Sequence, residues 1–113
     1  MHRATPPVDL VYDTDCPNVG EARVLLREAL TQLGMRPLWR EWERDGAETP
    51  PELRGFGSPT ILVDGVDVTG NEEGDVSDQA NCCRVYQHHG RLRGVPELGT
   101  VTSAIQQLGT PRD

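Results

Sequence analysis

The sequence predicts a single α/β domain that spans residues 1–113 and contains about four strands. Three observations indicate this class: short apolar runs rich in β-branched residues, a long segment of helical periodicity, and an Asp-Gly turn between two apolar runs. The expected order is strand, helix, strand, hairpin and C-terminal helix, arranged in three layers. We expect residues 1–7 to form a flexible N-terminus and residues 70–94 to form a long irregular loop near the candidate site.

The predicted strands are residues 8–12, 35–42, 60–63 and 66–68. The first is a buried run, VDLVY, and Pro37 restricts the second to a sheet edge or to a strand's beginning. Asp64 and Gly65 separate the last two strands, and this dipeptide favours the two positive φ angles of a type I′ turn. The last two strands should therefore form an antiparallel hairpin.

The first helix is predicted from apolar residues at helical spacing that begin at Val19 and end before Gly34. Pro17 suits the first helical position, which would make Cys16 the N-cap. Asn18, followed three residues later by a glutamate, offers a second possible cap. A second helix is expected within residues 96–108.

Composition excludes several classes of function. The net charge of −7 argues against binding to nucleic acid or to an anionic membrane surface, and no lysine is present for Schiff-base chemistry. No apolar run approaches the roughly 20 residues of a membrane span, and the first residues lack the apolar stretch of a secretory signal. We therefore expect a cytoplasmic protein, in which the three cysteines are thiols or metal ligands rather than a disulfide scaffold.

The order of elements is the minimal arrangement of the thioredoxin and glutaredoxin core. The segment Cys16-Pro17-Asn18-Val19 lies between the first strand and the first helix, where thioredoxin-like proteins carry C-x-x-C. Pro59 lies just before the third strand, where that fold carries its cis-proline. The resemblance implies a glutaredoxin-type fold in which Pro59 is cis and lies beside Cys16.

From about residue 8 to residue 108, the chain resembles a group of small bacterial thioredoxin-like proteins that are often labelled alkylmercury-lyase-like. Some members of that group are selenoproteins, with selenocysteine at the position of Cys16. The matching segments are DCPNVGEAR, GSPTILVDGVDVTG, CCRVY and GVPELGTV. The chain departs from the redox motif at Val19, which occupies the position of the second cysteine, so no disulfide can form within the motif.

Cys16 is the candidate nucleophile. A helix N-terminus carries unpaired N–H groups and a partial positive charge, which favour the reactive thiolate. Asp13 and Asp15 oppose this effect, and only arginine or histidine could supply a compensating charge. The alternative is that Cys16 is a small buried residue that caps the helix.

Adjacent cysteines, Cys82 and Cys83, lie in the predicted loop. Either could act as a resolving thiol for Cys16, and the three together could bind a thiophilic metal such as Hg(II), Cu(I) or Zn(II). The alternative is a loop with one buried and one exposed cysteine. We expect the site to bind substrate through Ser58, Thr60, Arg84 and Tyr86, and the pair His88-His89 to form a solvated turn.

These observations favour a thiol-dependent oxidoreductase. Cys16 would attack a small-molecule disulfide, a peroxide, a glutathione adduct or a protein disulfide, and a loop cysteine, glutathione or another thiol reductant would resolve the product. One alternative is a mercury-handling or organomercurial-lyase-like protein that binds metal through Cys16, Cys82 and Cys83. The other is a non-enzymatic binding module, because fold does not fix function.

Overall fold

A mixed four-stranded sheet is the centre of the computed structural model, which describes residues 7–69, 86–88 and 91–108. Its strands, in the order β2-β1-β3-β4 across the sheet, are β1 (Val8–Tyr12), β2 (Arg40–Glu43), β3 (Thr60–Val63) and β4 (Val66–Asp67). The β1–β2 pair is parallel, and the β1–β3 and β3–β4 pairs are antiparallel. The α/β class and the predicted strand order along the chain are confirmed.

Alternation along the two central strands separates two apolar clusters. Leu10 and Ile61 belong to the main cluster, whereas Val11 and Leu62 belong to a smaller cluster that also contains Phe56. All four strand residues are fully buried, so both faces of the sheet are covered at its centre.

The two helices share one cluster and therefore one face of the sheet. α1 (Val19–Gln32) and α2 (Leu98–Leu108) contact each other, and their buried residues in the main cluster are Val19, Ala22, Leu25, Leu26, Ala29, Leu30, Val101, Ala104 and Ile105. Near the other cluster, the described residues contain only a 3-10 turn, Pro51–Leu53. In the part of the chain that the structure describes, the expected third layer is thus only this short turn.

The start of α1 differs from the first of the two predicted caps. The Cys16 N–H donates to the Asp13 carbonyl at 3.0 Å, which closes a turn before the helix. The first helical bond joins the Ala22 N–H to the Asn18 carbonyl at 3.0 Å, so Asn18 is the N-cap and the prediction of Cys16 as N-cap is wrong. Gly34, with φ at 74°, follows the helix end as predicted.

The turn between β3 and β4 has φ values of 55° at Asp64 and 84° at Gly65, as predicted from the dipeptide. β2 is shorter than predicted, because it begins only at Arg40, whereas α2, which begins at Leu98, lies within the predicted residues 96–108. Pro37 precedes the paired part of β2, in agreement with its inability to donate to a sheet.

The expectation of an irregular segment over residues 70–94 is wrong for its last part. Strands β5 (Tyr86–His88) and β6 (Arg91–Arg93) form a separate antiparallel pair, in which Gln87 pairs with Leu92. His88, expected in a turn, ends β5. The sequence QHHGRLR has no apolar alternation, which explains why periodicity gave no signal there. None of the helices in the described ranges has the length and apolarity needed to span a membrane.

Candidate functional site

Cys16 lies in the turn between β1 and α1. Its side chain is partly buried, packs against the main cluster and forms no disulfide. The next residue, Pro17, is exposed, and α1 begins three residues after the cysteine. The Asn18 side chain makes no capping bond to the helix, so the positive end of α1 follows the Cys16 turn without a side-chain cap.

The Ser58–Pro59 bond is cis, as the resemblance implied. Ser58 is fully buried, and its Oγ accepts a hydrogen bond from the Asp13 N–H at 2.8 Å. Asp13 also supplies the carbonyl that accepts the Cys16 N–H. The cis-proline loop and the cysteine turn are therefore joined through one residue, although Ser58 and Asp13 are 45 positions apart.

Arg44 supplies the positive charge beside this turn. Its Nη1 donates to both carboxylate oxygens of Asp13, at 3.0 and 3.3 Å, and the two side chains are 13% and 19% exposed. The Arg44 N–H also donates to the Tyr12 carbonyl at 2.8 Å, directly after the last β1–β2 pair. The sequence left open whether arginine or histidine would compensate Asp13. Only the register between β1 and β2, which pairs Tyr12 with Glu43, places Arg44 there.

Tyr86 connects β5 to the cis-proline loop. The side chain is 5% exposed, and its hydroxyl donates to the Pro59 carbonyl at 2.5 Å. Thr60, also buried, donates through Oγ1 to the Gly57 carbonyl at 2.7 Å. The structure thus brings together Ser58, Pro59 and Tyr86. The predicted substrate-binding residues that it describes are Ser58, Thr60 and Tyr86, and the hydroxyl of each forms a hydrogen bond within the protein.

Gly94 is a site residue that the sequence analysis missed. It precedes α2, and a Cβ built on it would lie 2.3 Å from Nδ2, 2.4 Å from Cγ and 2.7 Å from Oδ1 of Asn18. The chain before α2 therefore passes directly against the C-P-N-V motif. In the sequence Gly94 stands at the start of the matching segment GVPELGTV, which does not identify its neighbour.

Beside this contact an open groove of about 240 Å³ begins, lined in part by Val24, Leu25, Val95 and Pro96. A larger open cleft of about 630 Å³ lies between β4 and α2, and its lining does not include Cys16 or Pro59. The lining of the groove does not include Cys16 or Pro59 either, but Val95 places the groove next to Gly94 and its contact with Asn18.

Two further ion pairs lie along β2. Arg23 binds Glu41 at 2.9 Å, and its hydrogen bond lowers the pKa of Glu41 below the ordinary carboxyl value despite partial burial. Arg40 binds Asp9 at 2.8 Å, and this hydrogen bond raises the pKa of the Arg40 guanidinium. Asp9 lies four residues before Asp13, so this second pair is at the other end of β1 from the cysteine turn.

Cys82, Cys83, Arg84 and His89 lie outside the described residues, so their roles stay predictions. In the part of the chain that the structure describes, no group of three or more His, Cys, Asp and Glu side chains is arranged to hold a metal ion. The soft-metal site of Cys16, Cys82 and Cys83 likewise stays a prediction.

The described fold and site define an α/β protein with a free cysteine at the entrance to a helix and a cis-proline loop bonded to the same turn. No protein-family model, no curated protein and no solved structure matches the chain. Its function must therefore be inferred from the site.

Proposed function

We propose that this chain is a thioredoxin-like, thiol-dependent oxidoreductase whose nucleophile is Cys16. The observation that carries the proposal is the bond between the Ser58 Oγ and the Asp13 N–H, which links a cis-proline loop to the turn of a partly exposed, free cysteine. A cysteine that only filled space in the core would not require a partly exposed position before a helix. The resemblance to the small bacterial thioredoxin-like group also supports this assignment.

The chemistry is a thiol–disulfide exchange. The Cys16 thiolate attacks one sulfur of a substrate disulfide and forms a mixed disulfide, while the other sulfur leaves as a thiolate and takes a proton from water. A second thiol then attacks the Cys16 sulfur, and the remaining substrate sulfur leaves as a second thiol. The substrate disulfide gains two electrons, which the two attacking thiols supply as they become a disulfide. Further thiol reductant, such as the glutathione of the assay, then reduces that disulfide by the same exchange and returns the Cys16 thiol.

The second thiol cannot come from the motif, because Val19 occupies that position. Cys82 and Cys83 are the candidates within the chain, and Cys83 lies three residues before Tyr86, which binds the cis-proline carbonyl. An external thiol such as glutathione is the alternative. The groove beside Asn18 and Gly94 offers a surface for the rest of the substrate.

The test is the reduction of a small aromatic disulfide in the presence of glutathione, followed by the absorbance of the released thiolate. We expect the native chain to turn over substrate faster than the same concentration of free cysteine, and Cys16→Ser to abolish the difference. Cys82→Ser/Cys83→Ser is the matched control, because it removes thiols but keeps Cys16. Turnover that is unchanged in Cys16→Ser, or absent in the native chain, contradicts the proposal.

The same variants identify the resolving thiol. If Cys82 or Cys83 resolves Cys16, the double variant accumulates a mixed disulfide on the Cys16 peptide, which mass spectrometry detects. If an external thiol resolves it, turnover in the double variant stays at the native level and follows the glutathione concentration.

A further inference from the structure

We infer that Arg44 is a positioning residue for Cys16 that acts through Asp13, and that its charge determines how well the thiol accepts anionic reagents. The inference rests on the proposed role of Cys16 as the nucleophile. It assigns a role to a residue that lies 28 positions from the cysteine and belongs to no recognised motif.

Position is the first step, and it rests on three hydrogen-bonded contacts of Asp13. Its N–H donates to Ser58, its carbonyl accepts the Cys16 N–H, and its carboxylate accepts both bonds from Arg44 Nη1. Asp13 is thus the residue through which the cis-proline loop, the cysteine turn and the end of β2 are joined. Because the Arg44 N–H is bonded to the Tyr12 carbonyl, the sheet fixes the backbone position from which the guanidinium reaches Asp13.

Charge compensation is the second step. An unpaired carboxylate beside the turn would repel both the Cys16 thiolate and any anionic reagent that approaches it. The Asp13–Arg44 pair is mostly buried, at 19% and 13% side-chain exposure, so screening by solvent and salt acts weakly on it. In a chain with a net charge of −7, Arg44 therefore neutralises Asp13, whereas Asp15, directly before the cysteine, is exposed to solvent.

The consequence concerns the class of substrate. With Arg44 present, the site tolerates anionic thiols and disulfides, a class that includes glutathione. Without it, neutral or cationic partners would be favoured. Arg44 is thus a determinant of substrate charge as well as of the position of the turn.

The experiment compares the alkylation of Cys16 by anionic iodoacetate and by neutral iodoacetamide at pH 7, with mass spectrometry of the Cys16 peptide in the full chain. We expect Arg44→Gln to lower the iodoacetate-to-iodoacetamide rate ratio about threefold, because one unit of negative charge is exposed nearby. Asp13→Asn should raise the ratio by a similar factor, and Arg44→Gln/Asp13→Asn should return it to the native value. Arg44→Lys keeps the charge and should keep the ratio.

Arg40→Gln is the matched control, because it removes the same charge and leaves an ion pair at the far end of β1 broken. A ratio that moves equally in Arg40→Gln and Arg44→Gln, or that stays fixed in both Arg44→Gln and Asp13→Asn, overturns the inference. Should Arg44→Gln not fold, Asp13→Asn and Arg44→Lys decide the question. The ratio is independent of disulfide turnover, so failure of the oxidoreductase proposal and failure of this inference are separate results.

Discussion

Substitution of Gly94 by alanine tests the contact between the chain before α2 and the C-P-N-V motif. The new Cβ would lie 2.3–2.7 Å from three atoms of the Asn18 side chain, about 1 Å inside ordinary contact distance. Such overpacking typically costs about 1–3 kcal/mol, and the reduced freedom of the unfolded chain offsets about 0.4–1 kcal/mol of this. We therefore expect Gly94→Ala to lower the free energy of unfolding by about 1–2 kcal/mol.

A double-mutant cycle in urea isolates the contact. Asn18 makes no capping bond through its side chain, so Asn18→Ala removes the clashing amide at small cost. In that background we expect Gly94→Ala to be neutral or slightly stabilising, which gives a coupling of about 1–2 kcal/mol. Gly55→Ala is the control, because Gly55 also lies outside the helices and strands and its Cβ would meet nothing within 4 Å.

Two results would refute this reasoning. The first is that Gly94→Ala lowers the free energy of unfolding no more than Gly55→Ala does. The second is that Gly94→Ala lowers it by the same amount with and without the Asn18 amide. If the coupling is found, the rate of Cys16 alkylation in Gly94→Ala shows whether movement of Asn18 is transmitted to the thiol.

Three further outcomes are expected. Gly20→Ala should raise the free energy of unfolding, measured in urea, by about 0.5–1 kcal/mol, because Gly20 is helical and exposed and has open space around its Cβ position. A loss of stability in this variant would contradict the helix boundary. Tyr86→Phe should lower the free energy of unfolding by about 1–3 kcal/mol, because the buried Pro59 carbonyl loses its hydrogen-bond donor. An unchanged free energy would mean that this hydrogen bond does not stabilise the fold. Glu41→Gln should cost a few tenths of a kcal/mol at pH 7, because the pair with Arg23 is partly exposed. Because the pKa of Glu41 is lowered in the folded state, that contribution is complete above the ordinary value of about 4.5 and is lost as pH falls through the folded-state pKa. Native and variant stabilities should therefore converge below the folded-state pKa, and a difference that stays constant with pH would contradict the pairing.

Local chemistry explains which elements the sequence could predict. β1, β3 and the Asp64-Gly65 turn follow from short-range signals, namely β-branched apolar runs and two residues that accept positive φ. The start of α1 was ambiguous, because Pro17 and Asn18 both offered a plausible beginning. The turn that the Cys16 N–H makes with Asp13 decides for Asn18.

The site itself depends on long-range pairing, which a single sequence does not reveal. Cys16 and Pro59 could be singled out from their motifs, but the pairing of Arg44 with Asp13 across 31 positions follows from the β1–β2 register. The approach of Gly94 to Asn18 likewise depends on where the strand pair β5–β6 returns the chain.

Hydrogen exchange at the Asp13 amide can report how often the cysteine turn separates from the cis-proline loop. Hydrogen exchange at this N–H requires its bond to Ser58 to break, so its protection factor reports the free energy of separating the cysteine turn from the cis-proline loop. The loop that carries Ser58 lies near the smaller apolar cluster of Val11, Leu62 and Phe56, which buries fewer side chains than the helical face. The bond between Asp13 and Ser58 should therefore open before the amides of β1 exchange, and a substrate that binds across it should slow the exchange of the Asp13 amide.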